Sequence, residues 1–274
     1  MSKQIKKKII LIGYKSFIQT HLRNHLSPKY NVKNIRFENI NHKVLEDCSM
    51  VINCSNTKSF FEKKYSKKND RNFILSNLLK KKNVKFILLS TRQVYFPKFN
   101  ITEKSKLAPI NVYAKNCLNS EKFCKEKLRN NLLVLRLSNV VGVEDGKKKK
   151  PSFMSLIIKG LKKNQIIIDD NLNLYKDFIP IELLCLYIEK LIEKNVFGMI
   201  NVGIGKSILV KDFLTNILGK RQVKLVFKKN NKFSDRSYSF NIKKLQNLTG
   251  IKIKKKILNS CFNDLKVMIN NSYD

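Results

Sequence analysis

Tyr113 is the side chain in this sequence best suited to move a proton, and the residue one helical turn beyond it decides how well it can. It stands in Asn111-Val-Tyr-Ala-Lys-Asn-Cys-Leu-Asn-Ser-Glu121. A phenol at its ordinary pKa near ~10 is a poor base at neutral pH. An ammonium held beside it would stabilise the phenolate and draw it toward working pH. On a helix the partner lies at i+4, on the same face, and here that residue is Cys117. A thiol brings neither the charge nor the reach. Lys115 lies about 200° around the helix from Tyr113 and faces away. A lost acid–base contribution typically costs ~10²–10⁴-fold in rate.

Other polar residues gather at the ends of apolar runs. Gly13 closes the run 8–12 and precedes a helical pattern, Phe17–Leu26; a strand, a glycine turn and a helix N-terminus together can receive a phosphate. Ser55, Ser90, Thr91, Ser138 and Asn139 each follow another apolar run. A threonine in such a place is most simply a turn or cap residue. The six cysteines, Cys48, Cys54, Cys117, Cys124, Cys185 and Cys261, form no C-x-x-C pair. They read as free thiols in a reducing compartment. His21, His25 and His42 lie near no cysteine cluster, so no metal site is expected.

These residues need elements to hold them. Strand patterns cover 8–12, 31–37, 50–54, 84–90 and 132–137; helical patterns cover 17–26, 72–82 and 113–128. Strands that alternate with helices imply an α/β fold, a Rossmann-like doubly wound parallel sheet covered on both faces. Ligands then bind at the carboxyl ends of the strands. The later third has a different texture. Helices are expected at 151–160, 181–194, 210–218 and 257–270, and strands at 165–168, 199–202 and 223–228. The expected division is a sheet core over 1–170, to which the strand near 199–202 returns, and a smaller, mostly helical lobe over 171–274, covering the mouth of the sheet; the resemblance described below implies that the first binds a dinucleotide and the second the substrate.

The 274 residues carry a formal charge of +36. Lysine outnumbers arginine 48 to 8 and is spread along the chain, with its densest run at 147–150. That is the pattern of a lysine-rich surface. A nucleic-acid site would use arginine forks and interleaved aromatics, so nucleic acid is not the expected partner, although such a field attracts phosphorylated anions. No stretch approaches the roughly 20 apolar residues of a membrane span, and nothing at the N-terminus reads as a signal peptide. A soluble, cytoplasmic protein is expected.

Several landmarks, taken together, carry a resemblance. Ile10-Leu-Ile-Gly-Tyr-Lys-Ser-Phe-Ile-Gln19 follows strand-G-x-x-G-F-I-G, with Gly13, Phe17 and Ile18 matching, Ser16 in place of the second glycine and Gln19 of the third. Asp47-Cys-Ser-Met-Val-Ile-Asn-Cys-Ser55 resembles D-x-V-I-N-x-A, and Asn72 follows it as either a motif residue or a plain helix start. Ser90-Thr-Arg-Gln-Val-Tyr95 resembles S-[ST]-x-x-V-Y. Glu121, four residues past Cys117, fixes the register of the tyrosine segment. Arg136-Leu-Ser-Asn-Val-Val-Gly142 matches R-x-x-N-x-x-G, and Lys176-Asp-Phe-Ile-Pro-Ile-Glu182 resembles R-D-[FY]-[IV]-H-V-x-D, with Pro180 for histidine. Met199-Ile-Asn-Val-Gly203 and 235–250 match the returning strand and the closing motif, Asn241 replacing an aspartate.

The chain thus resembles the extended short-chain dehydrogenases, the NAD-dependent epimerase/dehydratase family acting on nucleotide sugars, in register over nearly its whole length. The resemblance implies NAD or NADP as cofactor, held by Gly13, Ser16, Phe17, Ile18, Cys54, Ser55 and Ser90. It implies Thr91 and Tyr113 as catalytic residues, with Cys117 in the place of the family lysine. Asn139 would contact the nucleotide-sugar substrate; Arg236 would reach its diphosphate or serve as a surface arginine. It further implies an epimerase, dehydratase or keto-sugar reductase, of use in surface-polysaccharide biosynthesis, and a homodimer, for which the helix face bearing Phe123 and Leu128 is a candidate. Glu38 could read a ribose hydroxyl, or Arg36 a 2′-phosphate. Ser16, Gln19 and Cys117 together leave a second reading, a catalytically impaired member that serves as a binding or scaffold protein.

Overall fold

The computed structural model describes residues 6–143, 153–168, 172–219, 221–227 and 236–254, with 259, 262–267 and 269. The lysine run 147–150 lies outside the described residues, as do six of the fourteen residues of the helix expected at 257–270; the other eight are helical. Contacts group 1–96, 103–137 and 185–202 into one compact unit and 97–102, 138–184 and 203–274 into another.

The first unit is built from β1 (Lys8–Ile12), α1 (Phe17–Leu26), β2 (Asn31–Ile35), β3 (Met50–Asn53), α2 (Lys58–Glu62), α3 (Arg71–Leu79), β4 (Lys85–Thr91), α4 (Val112–Leu128) and β5 (Leu132–Leu137). The second unit opens with β6 (Asn139–Val141), α5 (Phe153–Leu161), β7 (Gln165–Ile168), β8 (Tyr175–Lys176) and β9 (Phe178–Pro180). Helix α6 (Ile181–Glu193) then leads into β10 (Gly198–Val202), and β11 (Ile208–Leu209), α7 (Val210–Leu218), β12 (Lys224–Phe227) and α8 (Lys243–Thr249) complete the chain's elements.

Six strands form one sheet in the order β2-β1-β3-β4-β5-β10, every pair parallel. Such strands are buried on both faces, which is why they read as unbroken apolar runs. Ile10, Ile12, Val51, Phe86, Leu88 and Val134 share a core with Leu75 and Leu79 of α3 and Cys124 and Leu128 of α4. The alternate side chains Ile9, Leu11, Ile52 and Ile87 are equally buried. Helix α1 packs on β1, and His25 Nε2 meets Glu189 Oε2 of α6 at 2.7 Å. The strand order reverses between β1 and β3, the crevice where such sheets hold their ligands. The Leu128 face of α4 belongs to the chain's own core, and Phe123 stacks on Tyr65 at 5.6 Å.

Several boundaries move by one to three residues, and two of the shifts have a plain cause. Strand β2 stops at Ile35, because Phe37–Asn39 turns as a short 3-10 helix. Helix α3 starts at Arg71, because buried Asp70 caps it by accepting from the Asn72 and Phe73 amides at 2.9 and 3.2 Å. In the second unit three two-stranded sheets, β11-β8, β12-β7 and β6-β9, accompany the helices; the tiny strands among them have no periodicity long enough to read. The core there joins Val141, Met154, Ile157, Phe178 and Phe213, with Phe178 and Phe213 stacked at 4.1 Å. Among the described residues no helix is long and apolar enough to cross a membrane.

Candidate active site

Gly13 ends β1 with φ of 123°. A Cβ there would lie 3.0 Å from the Cys54 carbonyl carbon and oxygen and 3.1 Å from Ser16 Oγ. Both the dihedral and the space therefore call for glycine. The Ser16 amide donates to Gly13 O at 3.0 Å, closing the turn, and the Gly13 amide donates to Ile35 O at 3.3 Å. Ser16 begins α1 without a side-chain cap, and its Oγ is buried without a hydrogen-bond partner. Phe17 packs edge-on against His21 at 5.1 Å, and Ile18 is half-buried beside it. Gln19, in place of the third glycine, brings a side chain that would part helix and strand if it pointed between them. It is instead 2% exposed, on the same inward face as Leu22 and Leu26.

Beside this loop, Asn53 ends β3. Its Nδ2 donates to Asn72 Oδ1 at 2.7 Å, and its Oδ1 accepts from the Ser55 amide and hydroxyl at 3.1 and 3.0 Å. Asn72 is thus neither a cap nor a bare helix residue: it fixes the strand end that carries Cys54 and Ser55. Burial pushes the Cys54 thiol up to about 12.

Ser90 and Thr91 close β4. The Ser90 hydroxyl donates to buried Glu121 of α4. Glu121 in turn accepts from Arg136 Nε at 3.0 and 3.2 Å, and the Arg136 guanidinium lies 4.6 Å over the Tyr95 ring. This ion pair lies in the interior, with side chains 2% and 3% exposed. Its members were visible in the sequence only as separate motif positions. Thr91 Oγ1 accepts from the Gln93 amide at 3.3 Å, as a turn cap does. Gln93 Oε1 then accepts from Asn111 Nδ2 at 2.9 Å, and Asn111 Oδ1 caps α4 by accepting from the Ala114 amide at 2.8 Å. A chain of three hydrogen bonds therefore ties the Thr91 turn to the start of the tyrosine helix.

Tyr113 lies in the first turn of α4. Phe61 of α2 stacks on its ring, centroids 4.9 Å apart and planes at 21°, and Phe60 meets its edge at 6.2 Å. Asn116 holds α2 there, donating to the carbonyls of Phe60 and Lys63 at 2.8 Å each. Helix α2 was not expected; a five-residue segment shows no periodicity, although paired phenylalanines in a polar stretch mark a buried contact. Burial raises the Tyr113 phenol well above its ordinary value, and its hydrogen bond to the Cys117 thiol raises it further. Cys117 is itself buried and its thiol shifted upward by that burial. Lys115 is exposed, as its helical angle requires. The chain's own groups thus keep Tyr113 a neutral phenol and a poor base.

Asn139 and Arg236 lie in the second unit. The Asn139 amide donates to Asp177 O at 3.1 Å and to the Tyr238 hydroxyl at 3.2 Å. Arg236 is exposed. Asp177 is the buried clamp of this unit: its carboxylate accepts from the amides of Ile204, Gly205 and Phe240 at 2.9, 3.0 and 3.4 Å. A Cβ on Gly203 would come within 2.7 Å of it. Burial outweighs these donors and raises its pKa to about 6. Among the described residues no cluster of His, Cys, Asp and Glu could hold a metal ion.

Comparison with known proteins agrees with this geometry. A family model described as the NAD dependent epimerase/dehydratase family matches residues 18–203. No curated protein matches the chain. Among solved structures, a UDP-N-acetylglucosamine 4-epimerase from Methanobrevibacter ruminantium M1, in complex with UDP-N-acetylmuramic acid, superposes with a TM-score of 0.84 at 18% identity, over 98% of this chain and 99% of that one. An NAD-dependent NDP-hexosamine 5,6-dehydratase involved in tunicamycin biosynthesis gives 0.82 at 18%, over 98% and 99%. A UDP-glucose 4-epimerase from Thermotoga maritima, with UDP-glucose, gives 0.80 at 19%, over 97% and 100%. At these identities the superpositions speak for the fold.

Proposed function

The chain belongs to the NAD dependent epimerase/dehydratase family, and from that premise we propose that it binds NAD or NADP and a nucleotide sugar and acts in the reductive direction, on a keto-sugar. The observation that carries the reading is Tyr113, held as a neutral phenol by burial and by Cys117. The residues at the crevice fit a dinucleotide. Gly13, with positive φ and no room for a Cβ, makes the tight turn that a phosphate-binding loop needs, and the buried Ser16 Oγ lacks a partner. Gly13, Ser16, Phe17, Ile18, Cys54, Ser55 and Ser90 are the residues that would hold it.

The reduced dinucleotide, when bound, supplies hydride to the carbonyl carbon. The chain's part is to protonate the oxygen. Tyr113 gives its hydroxyl proton, and water restores it. Thr91 Oγ1 accepts from the Gln93 amide, so its own hydrogen is left to donate to the same substrate oxygen. The buried Glu121–Arg136 pair cancels charge beneath Ser90 and leaves the tyrosine unactivated as a base. Asn139 and Arg236 are assigned to the sugar nucleotide on their motifs. The fuller form of this reading, a cytoplasmic homodimer serving surface-polysaccharide assembly, is supported by family membership.

The test is turnover in both directions. UDP- and dTDP-4-keto-sugars with reduced dinucleotide should be converted, followed by loss of the reduced nicotinamide absorbance, and Tyr113→Phe should lower that rate by about 10²-fold or more. The parent 4-hydroxyl sugars with oxidised dinucleotide should turn over far more slowly at neutral pH. Equal or faster oxidation at neutral pH would refute the directional reading. A second reading has its own observation, the Phe61 ring stacked on Tyr113. A chain that binds both ligands and turns over neither is a binding protein on this fold.

A further inference from the structure

We infer that the dinucleotide this chain prefers carries a phosphate on its adenosine ribose, and that Arg36, with Lys15, reads it. The inference rests on the dinucleotide-binding reading above and deepens it. In a sheet of this kind the residue about twenty positions after the first glycine of the loop, beyond the second strand, faces the adenosine ribose; an acid there reads a free 2′-hydroxyl, an arginine a 2′-phosphate. Here β2 ends at Ile35, whose carbonyl accepts from the Gly13 amide, so Arg36 leaves the strand directly beside the loop. Its guanidinium lies 4.7 Å from the centroid of the Tyr14 ring. Lys15, in the left-handed conformation at φ of 57°, brings its Nζ within 5.4 Å of the same centroid.

Two cations thus share one aromatic ring in the loop. Tyr14 is 50% exposed, and Lys15 and Arg36 are exposed with it. The acid that could have read a hydroxyl is committed elsewhere. Glu38 Oε1 accepts from Arg71 Nη2 at 2.6 Å, and the Arg71 guanidinium packs 4.6 Å over Phe37. Glu38 is thereby drawn toward α3. A dianionic ribose phosphate would meet a planar guanidinium able to bind it with two parallel hydrogen bonds, and an ammonium beside it. A free hydroxyl there would carry no charge for the two cations to meet.

Binding, read without turnover, tests this. NADPH and NADH are titrated into the full chain and followed by nicotinamide fluorescence and calorimetry; adenosine 2′,5′-bisphosphate and 5′-AMP serve as probes of the ribose end alone. NADPH is expected to bind about tenfold or more tightly than NADH, and the bisphosphate to compete where 5′-AMP does not. Arg36→Ala, at an exposed position, should remove about tenfold of the NADPH affinity and change NADH by less than about threefold; Arg36→Glu should reverse the order. NADH binding as tightly as NADPH, or an Arg36→Ala loss equal for both, overturns the preference and leaves the dinucleotide reading standing. Binding of neither overturns both.

Discussion

Cys117→Lys restores to the Tyr113 helix the charge that its register calls for, and its effect can be sized beforehand. A lysine at i+4 can bring its ammonium to about 4 Å from the phenol oxygen. At an effective dielectric of ~20 that contact is worth ~4 kcal/mol, or about three pKa units for the phenolate. Removing the thiol also removes the hydrogen bond that now raises the phenol. Both changes act in one direction, downward. Tyr113 starts well above its ordinary value, so the variant phenol should titrate about three units or more below the parent's, and base catalysis should appear on the alkaline side of neutrality first. The stability cost is real, because Cys117 is 3% exposed. Three added heavy atoms crowd the site by about 1–3 kcal/mol, and an ammonium leaves water there, an expense that Glu121 one turn on and nearby Asp70 partly offset.

The assay is a near-ultraviolet phenolate titration, each protein compared with its own Tyr113→Phe version so that Tyr113 alone is read, together with sugar oxidation by NAD and NADP across pH. Circular dichroism and thermal melting establish that the variant is folded. Cys117→Ala is the companion change: it removes the thiol acceptor without adding charge or bulk, and should lower the phenol by less than the lysine does. A folded Cys117→Lys protein in which Tyr113 titrates no lower than in the parent would refute the reasoning. So would a parent in which Tyr113 ionises near neutrality.

Two further outcomes follow from buried carboxylates. Glu121→Gln leaves the Arg136 charge buried and uncompensated, and should cost about 3–5 kcal/mol in urea unfolding; adding Arg136→Met should recover much of that loss, because an apolar pair needs no compensation. Failure of the second change to rescue would mean that the pair does more than neutralise itself. Asp177 titrates near 6 when folded against 3.8 when free, so the native state binds its proton more tightly than the unfolded chain does. That stabilisation is complete below about pH 4 and is lost as pH rises through about 6, a span of roughly 3 kcal/mol. The stability difference between the parent and Asp177→Asn, measured by urea unfolding across this window, should fall by that amount; a flat difference would show that Asp177 titrates normally.

What the sequence made legible was what repeats locally. Strands β1, β3, β4, β5 and β10 are apolar runs because both faces of a parallel sheet are buried, and the glycine at Gly13 marks the one loop position where a Cβ has no room. The tyrosine helix and the place of Cys117 in it followed from the 3.6-residue period. What the sequence withheld is what distant segments do for one another. Asn72 could be a motif residue or a helix start until its bond to Asn53 showed it to be a strap on the end of β3. Glu121 marked a register, and Arg136 belonged to a strand motif; only the fold brings them together as a buried pair. Phe60 and Phe61 lay in a five-residue helix too short to have a pattern, yet they make the apolar wall that keeps Tyr113 neutral. That last case bears on function. The missing lysine alone says that a phenol lacks help to ionise. The phenylalanine wall and the Cys117 thiol say that it is held protonated and is a poor base. The departures at Ser16, Gln19 and Cys117 therefore need not be read together as decay. Gln19 is absorbed into helix packing, Ser16 Oγ stands at the loop without a partner, and Cys117 keeps the tyrosine protonated, the state that the proposed reduction uses.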